Sequence, residues 1–276
     1  MPKQRIIRAQ FHLKTPQNSS GDHFIPLYYI KSGLLQVVTG KTITMTQTDS
    51  SADWRDQYRW FTHLPLFSQA VRAGGIAIGH AIITLETSGY ENMPSTGPCI
   101  VACNHVSAFD PQFIGLYLPR YPHFMAKDTL YKTPFLRWVF RMAGSFPVKR
   151  NQRDTWALRQ AGRVLNAGKV LFMFPEGTRS RDHAKLQEGK VGMVKLATEY
   201  NVPIVPAMIF GSQNMRFGLR NVNRVKIQLA PPLNMSDYIG QSPYEQEQLR
   251  EGTTIVMRHI AAMLPPENRG IYGLST

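Results

Sequence analysis

The sequence predicts an α/β fold: a largely parallel central sheet flanked by helices, with an N-terminal helical segment at a membrane interface. The first observation is size and composition, because 276 residues with 43% hydrophobic and 18% charged side chains are enough to bury a core. The second is an alternation of short apolar runs with amphipathic segments after residue 98, which is typical of parallel strands joined by helices. No internal repeat of fixed period competes with this interpretation.

Residues 1–59 are predicted to form an N-terminal extension that packs on the main domain or is partly ordered. They include a polar stretch, Thr15–Asp22, and an alternating segment, Thr42–Thr46, that suits a short strand. We find no residues with a chemical role in this part. The function is therefore expected in a main domain that spans residues 86–276.

Residues 60–85 are predicted to form one or two helices, with Pro65 near a start. Gly75 and Gly79 form a G-x-x-x-G pattern, although each glycine lowers helix stability by about 1 kcal/mol relative to Ala. The uncharged part, Ala73–Leu85, has 13 residues, whereas a helix that spans a bilayer needs about 20. We expect no ordinary transmembrane helix, and the segment is predicted either to lie in a membrane interface or to be a core helix.

The first half of the main domain is predicted to run strand, helix, strand, helix. Cys99–Cys103 is a short and wholly apolar run, which indicates a buried strand. Three further elements follow from their patterns: a helix at Pro111–Leu118, a strand at His123–Lys127 and a helix at Pro134–Ala143. These elements supply the first strands of the expected sheet.

The second half continues the alternation. Asp154–Ala167 is amphipathic and is closed by Gly168, which predicts a helix, and Val170–Phe174 is a second apolar run that predicts a second buried strand. The remaining elements are predicted as a helix at Gly189–Tyr200, strands at Ile204–Phe210 and Val225–Leu229, and a helix at Pro243–Leu264.

The charge balance is strongly basic. The chain has 32 Lys and Arg residues against 18 Asp and Glu residues, a formal net charge of +14. This excess favours polyanionic partners, namely nucleic acid, anionic lipid or a phosphorylated substrate, without deciding among them. No basic run is interleaved with aromatic residues, so we expect no nucleic-acid partner.

Cysteine usage and the N-terminus bear on location. Cys99 and Cys103 are the only cysteines, and on one strand their Cα atoms would be about 13 Å apart. A disulfide needs less than about 7 Å, so a reducing compartment is expected. The cationic N-terminus has no apolar stretch after it and is therefore not predicted to be a secretory signal.

Several familiar motifs are absent. There is no G-x-S-x-G of a hydrolase elbow and no G-x-G-x-x-G of a dinucleotide site. Gly40-Lys41-Thr42 resembles the end of a phosphate-binding loop, but Leu35 stands where its first glycine belongs. Cys99, Cys103 and His105 lack a second ligand cluster, so we predict no metal site and no cofactor.

The first candidate chemical group follows the Cys99–Cys103 strand. The segment Asn104–Asp110 begins where that strand ends, and ligands of open α/β sheets usually bind at such ends. His105 has a side chain whose pKa suits a general base near neutrality. Asp110 is expected to turn back toward the imidazole and to orient it, as the third member of a catalytic triad does.

The second candidate group follows the Val170–Phe174 strand in the same way. Gly177 permits a tight turn with exposed backbone N–H groups, and Arg179 offers a planar fork for phosphate oxygens. Glu176 is predicted to hold a cation or a hydroxyl in place. A polar loop with a local Glu–Arg pair is the alternative interpretation of this segment.

These two segments resemble the first and third signature blocks of the lysophosphatidic acid acyltransferase family, the 1-acyl-sn-glycerol-3-phosphate acyltransferases. Gly144–Arg150 resembles the second block, except that Lys149 stands where many members have an acid. Val202–Ala207 resembles the apolar fourth block. The resemblance covers about residues 85–233 and leaves residues 1–59 uncovered.

The resemblance implies transfer of a fatty acyl group from acyl-CoA or acyl-carrier protein to the sn-2 hydroxyl of lysophosphatidate, giving phosphatidic acid. His105 would be the general base and Asp110 its orienting carboxylate, without an acyl-enzyme. The substrate-binding residues expected in these blocks are Asn104, Lys149, Arg150, Glu176, Gly177, Thr178 and Arg179, with Lys190 as a weaker candidate at a helix start.

A lipid substrate implies contact with a membrane. The basic excess and residues 60–85 fit a peripheral or monotopic protein on the cytoplasmic face, with an anionic membrane surface as partner. Three alternatives stay open: another lysolipid acceptor, a non-catalytic basic membrane-binding protein, and a hydrolase that uses Ser107 as nucleophile.

Overall fold

The computed structural model describes residues 29–30, 33–34, 53–57, 66–150, 154–180, 182, 184–215, 224–240 and 243–273. The strand predicted at Thr42–Thr46 and the beginning of the predicted 60–85 helix lie outside these residues. The chain divides into two compact units, residues 1–57 and 58–276. The predicted domain boundaries, 1–59, 60–85 and 86–276, stay a prediction.

The first unit contains a small antiparallel pair and one short helix among its described residues. Strand β1 (Tyr29–Ile30) pairs with strand β2 (Gly33–Leu34). Trp54–Gln57 forms a single 3₁₀ turn. Within it, Arg55 Nη2 contacts Oδ2 of Asp53, the residue before the turn, at 2.6 Å.

The second unit carries the α/β domain. Its strands are β3 (Thr84–Ser88), β4 (Cys99–Cys103), β5 (Pro122–Lys127), β6 (Ser145–Val148), β7 (Val170–Met173), β8 (Ile204–Phe210) and β9 (Arg224–Leu229). Its α-helices are α1 (Leu66–Ile82), α2 (Asp110–Tyr117), α3 (Pro134–Met142), α4 (Thr155–Asn166), α5 (Gly192–Tyr200), α6 (Ser236–Ile239) and α7 (Gln246–Met263).

The seven strands form one sheet in the order β3-β9-β8-β4-β7-β5-β6. Strands β8, β4, β7, β5 and β6 are parallel neighbours, and only β9 pairs antiparallel, with β8. The predicted largely parallel sheet is therefore confirmed. The carboxyl ends of β4, β5, β7 and β8 consequently meet at the same end of the sheet, which we call its carboxyl edge.

The sheet separates two hydrophobic cores because side chains alternate across a strand. Along β4, Ile100 and Ala102 enter one core, whereas Cys99, Val101 and Cys103 enter the other. The first core is covered by α4, α5 and α7, and the second by α2. Helices on both faces complete the predicted architecture, and both cysteines are free and buried.

The two edge strands are the main difference from the predicted elements. The helix predicted to reach Leu85 ends at Ile82, and Leu85 belongs to edge strand β3. The other edge strand, β6, lies within the predicted second block and had no strand prediction. Short helix α6 was also absent from the predicted elements.

The glycine pair of α1 packs against α2. A Cβ built on Gly75 would lie 2.9 Å from Leu116 Cδ2, and one on Gly79 would overlap the Tyr117 hydroxyl. Arg72 of α1 also donates to the carbonyl oxygens of Leu116 and Leu118 at 3.0 and 2.7 Å. The G-x-x-x-G pattern thus serves close packing between helices. Within the part of the chain that the structure describes, no helix has the length and apolarity to cross a membrane.

Candidate active site

Three segments from distant parts of the sequence meet at the carboxyl edge of the sheet. Asn104–Asp110 follows β4, residues 174–180 follow β7, and residues 211–215 follow β8. Because β7, β4 and β8 are neighbours, these segments emerge side by side. This is the place where open α/β sheets bind their ligands.

His105 and Asp110 contact each other as the sequence predicts. His105 Nδ1 lies 2.8 Å from Asp110 Oδ2. Both residues are buried, and the imidazole stacks on the Phe174 ring with 3.9 Å between centroids. The tautomer with its proton on Nδ1 donates to the carboxylate, which leaves the Nε2 lone pair to accept a proton.

Asp110 is held by hydrogen bonds from four donors. Its Oδ2 accepts the backbone N–H groups of Val106 and Ser107, both at 2.7 Å, besides the imidazole. Its Oδ1 accepts the Ser212 hydroxyl at 2.6 Å. The carboxylate is fully buried at the first residue of α2, where the helix dipole favours negative charge. Its orientation, and with it that of His105, is therefore fixed.

Asn104 connects the His105 segment to β8. Its amide Nδ2 donates to the Ile209 carbonyl and its Oδ1 accepts the Ile209 N–H, both at 2.9 Å. The side chain is buried, and both the nitrogen and the oxygen of its amide are hydrogen-bonded. This arrangement assigns Asn104 a structural task next to His105, which differs from the substrate contact that the resemblance implies.

Glu176 is also turned inward. Its Oε1 accepts the His105 N–H at 2.8 Å and its Oε2 accepts the Gln187 N–H at 3.0 Å. The residue is only 2% exposed, and burial raises the pKa of the Glu176 carboxyl to about 7, against which the two amide hydrogen bonds act. The structure therefore favours Glu176 as a clamp between segments over its expected role as a holder of substrate or cation.

The loop after β7 turns sharply at Gly177. Gly177 has φ = +71° and its N–H donates to Phe174 at 3.0 Å. The side chain of Lys190 lies against it, because a Cβ on Gly177 would be 2.8 Å from Lys190 Nζ. The Lys190 N–H donates to the Pro175 carbonyl at 2.9 Å. The structure thus brings Lys190 beside the loop that contains Arg179.

The remaining predicted residues lie at this edge, and all are exposed except Lys149, which is half-buried. Thr178 and Arg179 are exposed on the loop after β7. Lys149 and Arg150 directly follow edge strand β6, where the Lys149 N–H donates to Asp154 Oδ2 at 2.7 Å. The cations are therefore accessible to a ligand, but their roles stay predictions.

Ser107 is placed as a support for Asp110. Its backbone N–H donates to the carboxylate, and its hydroxyl accepts the Phe109 N–H at 3.3 Å. It thus caps the turn before α2 without being the N-cap residue, which is Phe109. Among the described residues, no group of three or more His, Cys, Asp or Glu side chains is arranged to hold a metal ion.

Sequence reasoning missed Ser212. It is separated from Asp110 by about a hundred positions and belongs to no predicted block. The only local signal is Gly211, with φ = +92°, whose Cβ would overlap the Arg224 backbone. The backbone thus turns sharply at the end of β8, and this turn carries the hydroxyl to the carboxylate.

The comparison with known proteins points to one family. The sequence pattern of the family described as Acyltransferase matches residues 84–210, from β3 to the end of β8. This part of the chain is therefore similar to acyltransferases. All residues of the His105–Asp110 and Glu176–Arg179 groups lie inside the matched region, whereas Ser212 lies just beyond it.

Individual acyltransferases are also similar to this chain. The chain is 33% identical over 132 residues to a chloroplastic 1-acyl-sn-glycerol-3-phosphate acyltransferase of Brassica napus, covering 46% of this chain and 37% of the relative. A 1-acyl-sn-glycerol-3-phosphate acyltransferase of Bacillus subtilis is 26% identical over 149 residues, covering 54% of this chain and 73% of the relative. The chain thus matches well under half the length of the plant relative.

A solved acyltransferase structure has the same fold. The crystal structure of the 1-acyl-sn-glycerophosphate acyltransferase from Thermotoga maritima superposes with a TM-score of 0.56 at 25% identity. The superposition covers 71% of this chain and 79% of the other. The α/β domain is therefore shared well beyond the signature segments.

Proposed function

We propose that this protein is an acyltransferase that moves a fatty acyl group from an acyl thioester to the sn-2 hydroxyl of a 1-acyl-glycerol 3-phosphate. The single observation that carries the proposal is the His105–Asp110 pair at the carboxyl edge of the sheet, 2.8 Å apart and beside the loop that contains Arg179. The choice of acceptor is supported by the similar 1-acyl-sn-glycerol-3-phosphate acyltransferases of Brassica napus and Bacillus subtilis.

The proposed reaction is a direct transfer. His105 Nε2 takes the proton of the acceptor hydroxyl while the oxygen attacks the thioester carbonyl carbon. The tetrahedral intermediate collapses as the carbon–sulfur bond breaks, and the departing thiolate takes the proton from the imidazolium. Asp110 keeps the imidazole in the required tautomer and stabilises its charge. Both native cysteines are buried in β4, so no acyl-cysteine is needed or favoured.

The acceptor phosphate requires cations. Arg150 and Arg179 are the first candidates because a guanidinium binds phosphate oxygens with two parallel hydrogen bonds. Lys149 and Lys190 are the second pair, and the position of Lys190 against Gly177 supports its inclusion. Either acyl-CoA or acyl-carrier protein is compatible with these residues as donor.

Membrane association is part of the proposal, because the product and one substrate are lipids. Helix α1 has exposed apolar side chains at Leu66, Val71 and Ile78. It fits a peripheral or monotopic mode at an anionic membrane on the cytoplasmic side, as the net charge of +14 also does.

The test is thiol release from a long-chain acyl-CoA by purified protein in detergent. The acceptors are lysophosphatidate, other lysophospholipids, glycerol 3-phosphate and none, each with wild type and His105→Ala. We expect release that needs lysophosphatidate and falls by a factor of about 10²–10⁴ in His105→Ala, the usual contribution of a general base. Release with another acceptor would change the substrate, and near-normal turnover of His105→Ala would remove His105 as base. Absence of release with both CoA and carrier-protein donors would refute the proposed reaction.

A further inference from the structure

Helix α3 has an aromatic and basic face that does not contribute to either core. Phe135 is 69% exposed, Trp138 48% and Leu130, in the turn before the helix, 44%. No residue of α3 is fully buried, although Phe140 packs against the core through the Tyr131 ring. One side of the helix is therefore anchored while large apolar side chains remain in contact with water, which is unusual for a soluble surface.

The charged side chains in the segment around α3 are all positively charged. Between Asp128 and Asp154 the sequence contains no acidic residue. It contains six cationic residues over that interval, namely Lys132, Arg137, Arg141, Lys149, Arg150 and Arg153, of which Arg153 lies outside the described residues. An apolar face bordered by cations matches an anionic lipid surface, in which aromatic rings enter the headgroup region and Lys or Arg bind lipid phosphates.

Topology places this face at the edge that carries the candidate active site. Strand β5 lies next to β7 and parallel to it, and β7 lies next to β4. The chain leaves β5 at Lys127 and enters the 3₁₀ turn Asp128–Tyr131 that contains Leu130. Thr133 caps the start of α3 by accepting the Leu136 N–H at 3.2 Å, which fixes the helix at this edge.

We propose that α3 and the preceding turn are a lipid-docking surface, which binds an anionic membrane through Leu130, Phe135, Leu136 and Trp138 with Lys132 and Arg137 at its border. This inference rests on the proposed function for its purpose, because docking here directs the carboxyl edge of the sheet toward its lipid acceptor. It differs from docking through α1, whose exposed face carries few charges. A membrane fits better than an acidic carrier protein because the large exposed side chains are apolar.

The first test is a site-specific probe. Phe135→Cys is labelled with an environment-sensitive maleimide dye, and the buried native cysteines leave the new thiol as the reactive one. The matched control is Glu247→Cys, at an exposed position of α7. Vesicles of phosphatidylcholine with phosphatidylglycerol, and of phosphatidylcholine alone, are added without substrate. We expect a blue shift at position 135 with the anionic vesicles only, and none at position 247.

The second test is sedimentation with the same vesicles. Phe135→Ser/Trp138→Ser is expected to lower partition about tenfold or more, since two inserted rings are lost. Val71→Ser/Ile78→Ser removes comparable exposed apolar surface from α1. Thermal unfolding of both double variants checks that they are folded. These readouts involve no turnover, so a failure of the proposed reaction leaves them interpretable.

Three results would overturn the inference. They are wild-type protein that does not bind anionic vesicles, no shift at position 135 when the protein is bound, and wild-type partition of the folded Phe135→Ser/Trp138→Ser variant. Loss of binding in both double variants supports the inference, with α1 as an additional contact.

Discussion

At the scale of single residues, the site is controlled by two buried carboxylates with different tasks. Asp110 orients the His105 ring through its side chain, whereas Glu176 holds the His105 backbone N–H at 2.8 Å. Sequence reasoning assigned Asp110 from its spacing to His105, because five residues allow a turn back. It could not foresee the inward direction of Glu176, because both partners of that carboxylate are backbone groups and Gln187 lies 11 residues further along the same connection between β7 and α5.

The raised pKa of Glu176 has a consequence for stability. Burial raises it to about 7 in the folded protein, whereas an unfolded Glu has a pKa near 4.3. The stability contributed by the protonated form is complete at pH values below about 4 and is lost as the pH rises toward 7. A difference of this size corresponds to about 4 kcal/mol.

We therefore expect Glu176→Gln, which does not titrate, to lose this pH dependence. Between pH 4.5 and pH 7, the free energy of unfolding of the wild type should fall relative to that of the variant. This follows because the pKa of Glu176 is about 4.3 in the unfolded protein and about 7 in the folded protein. Urea unfolding of both proteins across this range measures the difference. A wild-type-to-variant difference that stays constant with pH would contradict the assignment.

At the scale of elements, the sequence predicted interior strands well and edge strands poorly. Cys99–Cys103 and Ile204–Phe210 were predicted with their observed bounds because strands covered on both faces are continuous apolar runs. Thr84–Ser88 is an edge strand whose residues are mostly exposed, so no apolar run marks it. Ser145–Val148 contains Pro147, which an edge strand tolerates but which argues against a strand in sequence reasoning.

Helix α1 offers a matched pair of glycine substitutions. We expect Gly79→Ala to weaken docking of α1 on α2, because its Cβ would overlap the Tyr117 hydroxyl. Gly74→Ala meets nothing within 4 Å and should stabilise the helix by about 1 kcal/mol. Hydrogen exchange of the α1 amides measures both effects. Relative to wild type, we expect faster exchange in Gly79→Ala and slower exchange in Gly74→Ala. Equal exchange in the two variants would contradict the observed helix packing.

At the scale of the whole molecule, two buried cysteines at the centre of the sheet can report when the protein unfolds. Cys99 and Cys103 lie on β4, the fourth of seven strands. Burial raises the pKa of the Cys99 thiol to about 11 and also raises the pKa of the Cys103 thiol well above its usual range, which suppresses the reactive thiolates.

We expect both thiols to resist a thiol-specific chromogenic reagent in the folded protein and to react when β4 opens. The denatured protein should release chromophore for two thiols, and the native rate should follow the unfolding rate measured by circular dichroism. Rapid labelling of either cysteine in protein shown to be folded would contradict the burial of this strand.

The hydrogen bond from Ser212 to Asp110 also sets an order of events during synthesis. Asp110 leaves the ribosome about a hundred residues before its partner, so a nascent chain cannot complete the support of its carboxylate until β8 and Gly211 have been translated. Contacts of such long range form late, because they require closure of a large loop. The proposed base therefore gains its full support only after residue 212 has been synthesised, and shorter nascent chains lack the Ser212 contact.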